Sequence, residues 1–324
     1  MRSLKFNTLL KQTIWGGERI IPYKKLSKHL PNVGESWDIS DIPGKESLVS
    51  DGDYKGQTLS SLITQLKTEL VGTKCYNTFG DHFPLLIKFI DATSDLSIQV
   101  HPNDALAQRE GYPCGKTEMW YLIDASDHAT LISGLKEPLT KDSYLEAVHQ
   151  NSLLDKLHTY AVHPGDCFYI PSGQVHSIGA GVFLLEVQQT SDITYRIYDY
   201  DRTDINGKKR ELHTEQALEA IDFSSNEDHQ VKYTHAPNQN IPLVKCPYFT
   251  ASLNELTKPI TKDYTQLDSF VIWIVFEGEC SFTNEGNETD TLCTGESVLI
   301  PACTQTMSIV PATKGCKFIE IFYE

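Results

Sequence analysis

Basic runs, CxxC pairs and long apolar stretches are all missing from this 324-residue sequence. Lysine and arginine number 28 against 43 aspartates and glutamates, a formal charge of −15, and no cluster of basic residues offers a footprint for a phosphate backbone. Nucleic acid is thereby excluded as a partner. No apolar run approaches the roughly 18 residues that a membrane-spanning helix needs, so no membrane association is expected. The opening MRSLKFNTLLKQTIWGG is too short in its apolar part, and too broken by Lys, Asn and Gln, for a signal peptide, and a cytoplasmic protein is expected. Eight cysteines, at positions 75, 114, 167, 246, 280, 293, 303 and 316, fall at no metal- or disulfide-like spacing and are expected as free thiols.

What is present is a succession of short β-rich runs divided by Gly, Pro, Asn and Asp, the pattern of a sandwich or barrel. FPLLIKFID (83–91), EMWYLID (118–124), CFYIP (167–171), GVFLLEVQQ (181–189), FVIWIVFEG (270–278) and KFIEIFYE (317–324) carry it. Helical periodicity is confined to insertions. Leu59, Leu62, Ile63 and Leu66 predict a helix over 58–70, and Tyr144, Leu145, Val148, Leu153 and Leu154 predict another over 141–158. A shorter helix is expected at 213–221, with Thr214 as its cap.

An internal repeat implies duplication. GDCFYIPSGQVHSI (165–178) and GESVLIPACTQTMSI (295–309) share an acidic turn, an apolar strand, Ile-Pro and a polar stretch, so that Pro171 matches Pro301. The polar, aperiodic segment 222–240 reads as the linker. The expectation is a mainly β protein of two jelly-roll sandwiches with a small helical insertion, one over 1–230 and the other over 240–324.

The polar residues of SIQVHPND (97–104) and GKTEMWYLI (115–123) are out of place in such strands. Alternation puts Ser97, Gln99 and His101 on one face, opposite Ile98 and Val100, and puts Glu118 on a face with Trp120 and Leu122. A lone buried carboxylate costs several kcal/mol or is neutralised by protonation, unless a cation compensates it. The spacing G-x5-P-x-G-x2-H from Gly165 brings His176 back into the sheet after a turn. Two imidazoles, a carboxylate and an amide oxygen suit one borderline divalent ion such as zinc, with a position left open for substrate. His82, His128, His158 and His163 lie outside any such alternation and are not assigned as ligands. In the second copy Thr306 stands where His176 would be, and an apolar residue of FVIWIVFE stands for Glu118, so that copy is expected to hold no metal.

These blocks resemble the cupin superfamily and, within it, the class I mannose-6-phosphate isomerase (phosphomannose isomerase) family of the short, Gram-positive bacterial type. The likeness runs through TIWGG (13–17), GESWDIS (34–40), SIQVHPND, GKTEMWYLI, IPSGQVHSIGAG (170–181) and EVQQTSDITYRIYDYDR (186–202). The sequence departs from the general cupin pattern at Gln99, where many cupins have His, and at Ala180, where many have Asn. The resemblance implies that Gln99, His101, Glu118 and His176 hold zinc, one ion per chain. It also implies Arg196 as the catalytic arginine, with Lys116 and Asp192 as candidates for proton transfer. By the same resemblance Ser97 and Arg202 hold the substrate phosphate, and Trp15, Glu35 and Trp37 line the mouth. Tyr198 and Tyr200 offer further hydroxyls there or pack as strand residues.

The implied activity is aldose–ketose isomerisation of mannose 6-phosphate and fructose 6-phosphate through a cis-enediol, by a monomer or homodimer. A sugar-phosphate-binding cupin without turnover is the alternative; loss of a ligand or of Arg196 would favour it, and neither is lost. A redox cupin using iron or manganese is disfavoured by Gln99 in place of an imidazole.

Overall fold

The computed structural model describes residues 1–150, 152–203, 207–224 and 227–324. Position 151 of the expected 141–158 helix and positions 225 and 226 of the expected linker lie outside the described residues. Twelve strands come from the first two thirds of the chain: β1 (Leu9–Gly17), β2 (Val33–Ile39), β3 (Leu85–Asp91), β4 (Ile98–Val100), β5 (Glu118–Ala125), β6 (Thr130–Leu135), β7 (Leu157–Ala161), β8 (Cys167–Ile170), β9 (His176–Ile178), β10 (Val182–Gln189), β11 (Tyr195–Tyr198) and β12 (Gln230–Val231). They form a sheet in the order β1-β2-β3-β10-β5-β8-β12 and a facing sheet in the order β11-β4-β9-β6-β7. All pairings are antiparallel, as a jelly roll requires.

The remaining strands are β13 (Asn240–Lys245), β14 (Thr250–Leu256), β15 (Ile260–Asp263), β16 (Val271–Asn284), β17 (Thr289–Cys293), β18 (Ser297–Ile300) and β19 (Thr306–Phe322). They make one continuous sheet, not two. Its long strands β16 and β19 pair along their whole length and bend together where Gly278 faces Cys316. Gly278 has φ +78°, and a Cβ there would lie 2.2 Å from the Gly315 carbonyl oxygen, so the fold-over requires glycine at this position.

The two sandwiches share a core. The large first sheet is buried on both faces: Trp120, Leu122 and Leu184 point into its own sandwich, whereas Met119, Tyr121, Phe183 and Leu185 meet Ile272, Ile274, Ile319 and Ile321 of the second sheet. The mainly β architecture of two jelly rolls is therefore observed, with the sandwiches packed back to back. The chain start belongs to this joint: Leu4 bridges Leu299, and Arg2 pairs with Asp290 at 3.0 Å.

Helices are shorter and more numerous than periodicity predicted. The 58–70 segment divides into α2 (Leu59–Leu66) and α3 (Thr68–Val71), after a one-turn α1 (Ile20–Tyr23), and is followed by α4 (Thr73–Phe79), which no apolar stripe announced. Lys67, at φ +48°, breaks the first of these. After α5 (Asp104–Arg109), α6 spans Lys141–His149 and a 3-10 turn spans Leu153–Lys156, while Leu157 and His158 already belong to β7. The last helix, α7, spans Thr214–Ala220; its cap position is His213, whose side chain makes no capping bond, so Thr214 is the first helical residue and not the cap. The expected linker is partly structured, because Gln230 and Val231 pair with Phe168 and Cys167 as an edge strand. No helix among the described residues is long and apolar enough to cross a membrane.

Candidate metal centre and substrate cavity

Three separate segments deliver the polar side chains to one point inside the first sandwich. Gln99 on β4 lies directly across from His176 on β9, and Glu118 opens β5 between Ile170 and Gln188. The loop joining β4 to β5 is tied to the site by its own residues. Asp104 Oδ1 accepts from the Gly115 amide at 2.8 Å and from Gln189 Nε2 at 2.9 Å, and Tyr248 of the second sandwich donates to Asp104 Oδ2 at 2.7 Å. The Lys116 amide donates to the Pro102 carbonyl at 3.1 Å. A Cβ at Gly115 would meet that same carbonyl at 2.5 Å, so glycine is needed for the approach that places Lys116 and Glu118 beside His101.

The resulting cluster is dry. His101, Glu118 and His176 are each at most 1% exposed. His101 Nε2 and His176 Nε2 are 3.2 Å apart, and each lies 3.5–3.6 Å from a Glu118 oxygen. His176 Nδ1 is 2.8 Å from the Gln174 carbonyl and donates to it, which fixes the tautomer and leaves the Nε2 lone pair facing the cluster. Neither Glu118 oxygen accepts a hydrogen bond, although Lys116 Nζ stands 3.3 Å from one of them and 3.0 Å from His101 Nε2.

Such orphaned acceptors, two imidazole lone pairs and a carboxylate converging within 4.8 Å, fit a divalent cation. Gln99 presents Nε2 at 3.3 Å from His176 Nε2. Turning the amide over exchanges its oxygen and nitrogen in place and would give the cluster a further oxygen donor, with Ser97 Oγ, now 3.4 Å from Oε1, facing the NH2 group.

Burial dominates the protonation of the cluster. Burial lowers His176 to about 4, and burial with the nearby Lys116 and His176 holds His101 well below its ordinary value. Burial, joined by repulsion from Glu186, raises Glu118 to about 7 against the pull of Lys116 and Lys88. Glu186 goes the other way. Burial would raise it, but Lys88 at 2.9 Å outweighs that and leaves it at about 2, with Trp120 Nε1 donating at 2.9 Å. Neutral histidines, with lone pairs free, are the form that binds a metal.

Beside the cluster opens a cavity of about 180 Å³, and most of the residues singled out in the sequence line it: Trp15, Glu35, Trp37, Ser97, Gln99, Lys116, Asp192 and Arg196. Trp37 donates to Glu35 at 2.6 Å, and Lys11 Nζ sits 3.8 Å from the centre of its ring. Asp192 would be raised by burial, but Lys45 at 3.0 Å brings it below the usual carboxylate range. Arg196 lies across from Gln99 on the neighbouring strand, its Nη1 donating to the Glu211 carbonyl at 2.8 Å.

Arg202 is not among the lining residues. It is turned to Asp199 at 2.6 Å and to the Asp95 carbonyl. Four charged residues that the sequence reading passed over do line the cavity, namely Lys11, Lys88, Glu186 and Arg210. Lys88 and Glu186 carried a signal that went unread, since a charge of each sign interrupts the apolar runs 83–91 and 181–189 as Glu118 does its own. Lys11 and Arg210 carried none.

Residues 3–128 match the family described as phosphomannose isomerase type I, catalytic domain. The chain is 39% identical to the mannose-6-phosphate isomerase ManA of Bacillus subtilis over 85% of its own length and 86% of the relative's. It is 34% identical to the mannose-6-phosphate isomerase of Streptococcus mutans over 90% of both chains. The crystal structure of the mannose 6-phosphate isomerase from Bacillus subtilis superposes with a TM-score of 0.88 at 31% identity, covering 99% of both chains. A phosphomannose isomerase structure from Salmonella typhimurium shares the fold, with a TM-score of 0.78 at 16% identity.

Proposed function

The chain belongs to the type I phosphomannose isomerase family, and on that premise we propose that it interconverts mannose 6-phosphate and fructose 6-phosphate through a cis-enediol, with one zinc ion held by Gln99, His101, Glu118 and His176. The single observation that carries this reading is the buried His101–Glu118–His176 cluster with its unbonded carboxylate oxygens, beside a cavity whose wall carries Gln99, Lys116 and Arg196. A bound ion of this kind supplies Lewis-acid polarisation of the sugar carbonyl or hydroxyl.

The chain's own residues provide the rest. Arg196 is permanently charged and stands beside Gln99, where it stabilises negative charge on the enediolate without surrendering a proton. Lys116 and Asp192, both on the cavity wall, are the proton-transfer pair. Lys45 lowers Asp192 and so weakens it as a base, while Lys116 Nζ lies 3.0 Å from His101 Nε2, at the edge of the cluster. Trp15 and Trp37 pack into the cavity wall, and Ser97 lends a hydroxyl near Gln99. An enzyme of sugar-phosphate metabolism in the cytoplasm agrees with eight unpaired cysteines.

The test is a coupled assay that follows fructose 6-phosphate from mannose 6-phosphate, together with the metal content of the protein. Chelation should abolish turnover and zinc should restore it; full activity after metal removal would reject the site. Arg196→Ala should keep its metal and lose about 10²–10³-fold in kcat, and an unimpaired variant would contradict the role given to the arginine.

A further inference from the structure

Glu118 opens β5 at the end of a short run, residues 115–117, that belongs to no strand, yet every amide in that run is tied. The Gly115 amide donates to Asp104 Oδ1 at 2.8 Å, the Lys116 amide to the Pro102 carbonyl at 3.1 Å, and the Thr117 amide to Gln189 Oε1 at 2.8 Å. Gln189 holds Thr117 from both sides, because its own amide donates to the Thr117 carbonyl at 3.1 Å. Thr117 and Gln189 are each 3% exposed, so these bonds are made out of water and hold the peptide from which Glu118 hangs.

Asp104 decides which way round the Gln189 amide sits. A carboxylate only accepts, and Asp104 Oδ1 lies 2.9 Å from Gln189 Nε2, so the amide turns its NH2 to Asp104 and its oxygen to Thr117. Asp104 is held in turn from the other sandwich. Tyr248 sits in the four-residue turn 246–249 between β13 and β14, which the Cys246 amide closes on the Phe249 carbonyl at 3.0 Å, and Phe249 is buried in the core that the sandwiches share. The Tyr248 hydroxyl donates to Asp104 Oδ2 at 2.7 Å. A path from the second sandwich to the peptide of Glu118 thus runs through Asp104 and Gln189, with donor and acceptor matched at each step. Apolar contact already joins the two sandwiches, whereas hydrogen bonds behind a ligand orient it and tune its hold on an ion.

We propose that Asp104 is a positioning residue for the metal centre and that Tyr248 fixes it from the metal-free sandwich, so that the second sandwich sets the placement of Glu118 without touching ion or substrate. This rests on the metal-site reading of the His101–Glu118–His176 cluster.

The experiment compares the wild-type full chain with Asp104→Ala, Asp104→Asn, Tyr248→Phe and Ile321→Val, the last in the shared core and off the path. Each protein is stripped of metal and titrated with zinc against a chelating indicator, loaded with cobalt(II) for its visible spectrum, unfolded in urea, and assayed for kcat and KM. Asp104→Ala should weaken zinc binding by about 10–100-fold, the usual cost of losing an outer partner of a ligand. It should also shift the cobalt(II) bands and lower kcat, with KM for mannose 6-phosphate unchanged. Tyr248→Phe should weaken zinc binding by about 2–10-fold, the effect of one hydrogen bond. Asp104→Asn keeps an acceptor for Gly115 and Gln189 and turns its NH2 to the Tyr248 oxygen, so it should restore zinc binding to within about threefold of wild type. Ile321→Val should lower the urea midpoint and leave zinc binding and the cobalt(II) spectrum alone.

Zinc binding and spectra unchanged in Asp104→Ala and Tyr248→Phe would overturn the proposal, as would equal losses in Ile321→Val. Should the alanine variant fail to fold, Tyr248→Phe decides, and its identity with wild type in both readouts would overturn the proposal. A wild-type chain that takes up no zinc would remove the metal reading and the proposal together; zinc held equally by wild type and variants would remove the proposal alone. Asp104-dependent zinc binding without isomerase activity would leave the positioning role standing and remove the isomerase reading.

Discussion

The two sandwiches are built on one strand neighbourhood and differ in what fills it. In the first, β5 lies between β8 and β10; in the second, β16 lies between β18 and β19. Register equates Trp120 with Trp273 and Glu186 with Glu320, since each tryptophan sits opposite its glutamate. Each indole donates to that glutamate at 2.9 Å, and each glutamate also takes a lysine, Lys88 at 2.9 Å and Lys262 at 3.0 Å. Two residues away the likeness ends. Glu118, opposite Ile170, is replaced by Val271, opposite Ile300; His176, across from Gln99, is replaced by Thr306, across from Asp263.

The space differs as well. Lys88 comes from β3 in the same sheet and leaves the room above Glu186 open, whereas Glu320 is closed over by Lys262 from β15 and by the Tyr264 hydroxyl at 2.6 Å. A buried Trp–Glu–Lys set present in both halves is part of the scaffold. A His–Glu–His set present in one half is not required by that scaffold, and its burial is costly with only Lys116 beside the carboxylate.

The largest effect that would break this comparison is loss of the unrepeated residues. His101→Ala and Glu118→Ala should each remove the metal and reduce turnover by about three orders of magnitude or more, whereas Thr306→Ala, at the matching place in the second sandwich, should leave activity and melting temperature alone. Metal retained by Glu118→Ala would show that the cluster is not the site.

A smaller effect separates the repeated residues. Glu320→Ala leaves Lys262 with Asn240 as its partner and the Trp273 donor with the Tyr264 hydroxyl, and removes the buried acceptor both now share, so it should cost about 1–3 kcal/mol of stability in urea titration, with kcat per folded molecule unchanged. Glu186→Ala should cost a similar amount and also lose activity, because Glu186 lines the cavity. Equal loss of activity in both variants would erase the distinction between scaffold and site.

The smallest is a pH effect confined to the first sandwich. Glu118, raised to about 7 by burial, takes up a proton in the folded state before the unfolded chain does, so acidification from about 7 to 4.5 stabilises through it. His176, lowered to about 4, and His101, lowered likewise, act oppositely: from about 6.5 downward the unfolded chain binds protons that the folded one refuses. Two groups outweigh one. The metal-free protein should lose stability between about pH 6.5 and 4, and Glu118→Gln, which cannot take up the opposing proton, should lose more over the same range. A flat or rising stability profile would contradict the burial seen for these side chains.

The legibility of the fold and of the site follows from what is local in a chain. Alternation along a strand is local, so Gln99, His101 and Glu118 were placed on inward faces from their spacing alone, and the fixed geometry of an Ile-Pro turn did the same for His176. The α2–α4 region was less legible, because Lys67 and Gly72 break it by backbone conformation and not by any change of apolar period. The continuous second sheet was illegible for a similar reason. Only pairing over the length of β16 and β19 shows that one sheet folds over itself where two were expected. Arg202, expected at the substrate phosphate, is instead held by Asp199 and the Asp95 carbonyl and does not line the cavity, which only the folded chain shows.

By itself the sequence determined which atoms stand ready to bind a cation, because residue type and strand periodicity are properties of a few consecutive residues. The tertiary structure alone decided the electrical setting of those atoms. Lys11, Lys88, Glu186 and Arg210 come from four distant parts of the chain and gather on one cavity wall, with Lys88 paired directly to Glu186, and Coulomb forces depend on distance through space, which no spacing along the chain encodes.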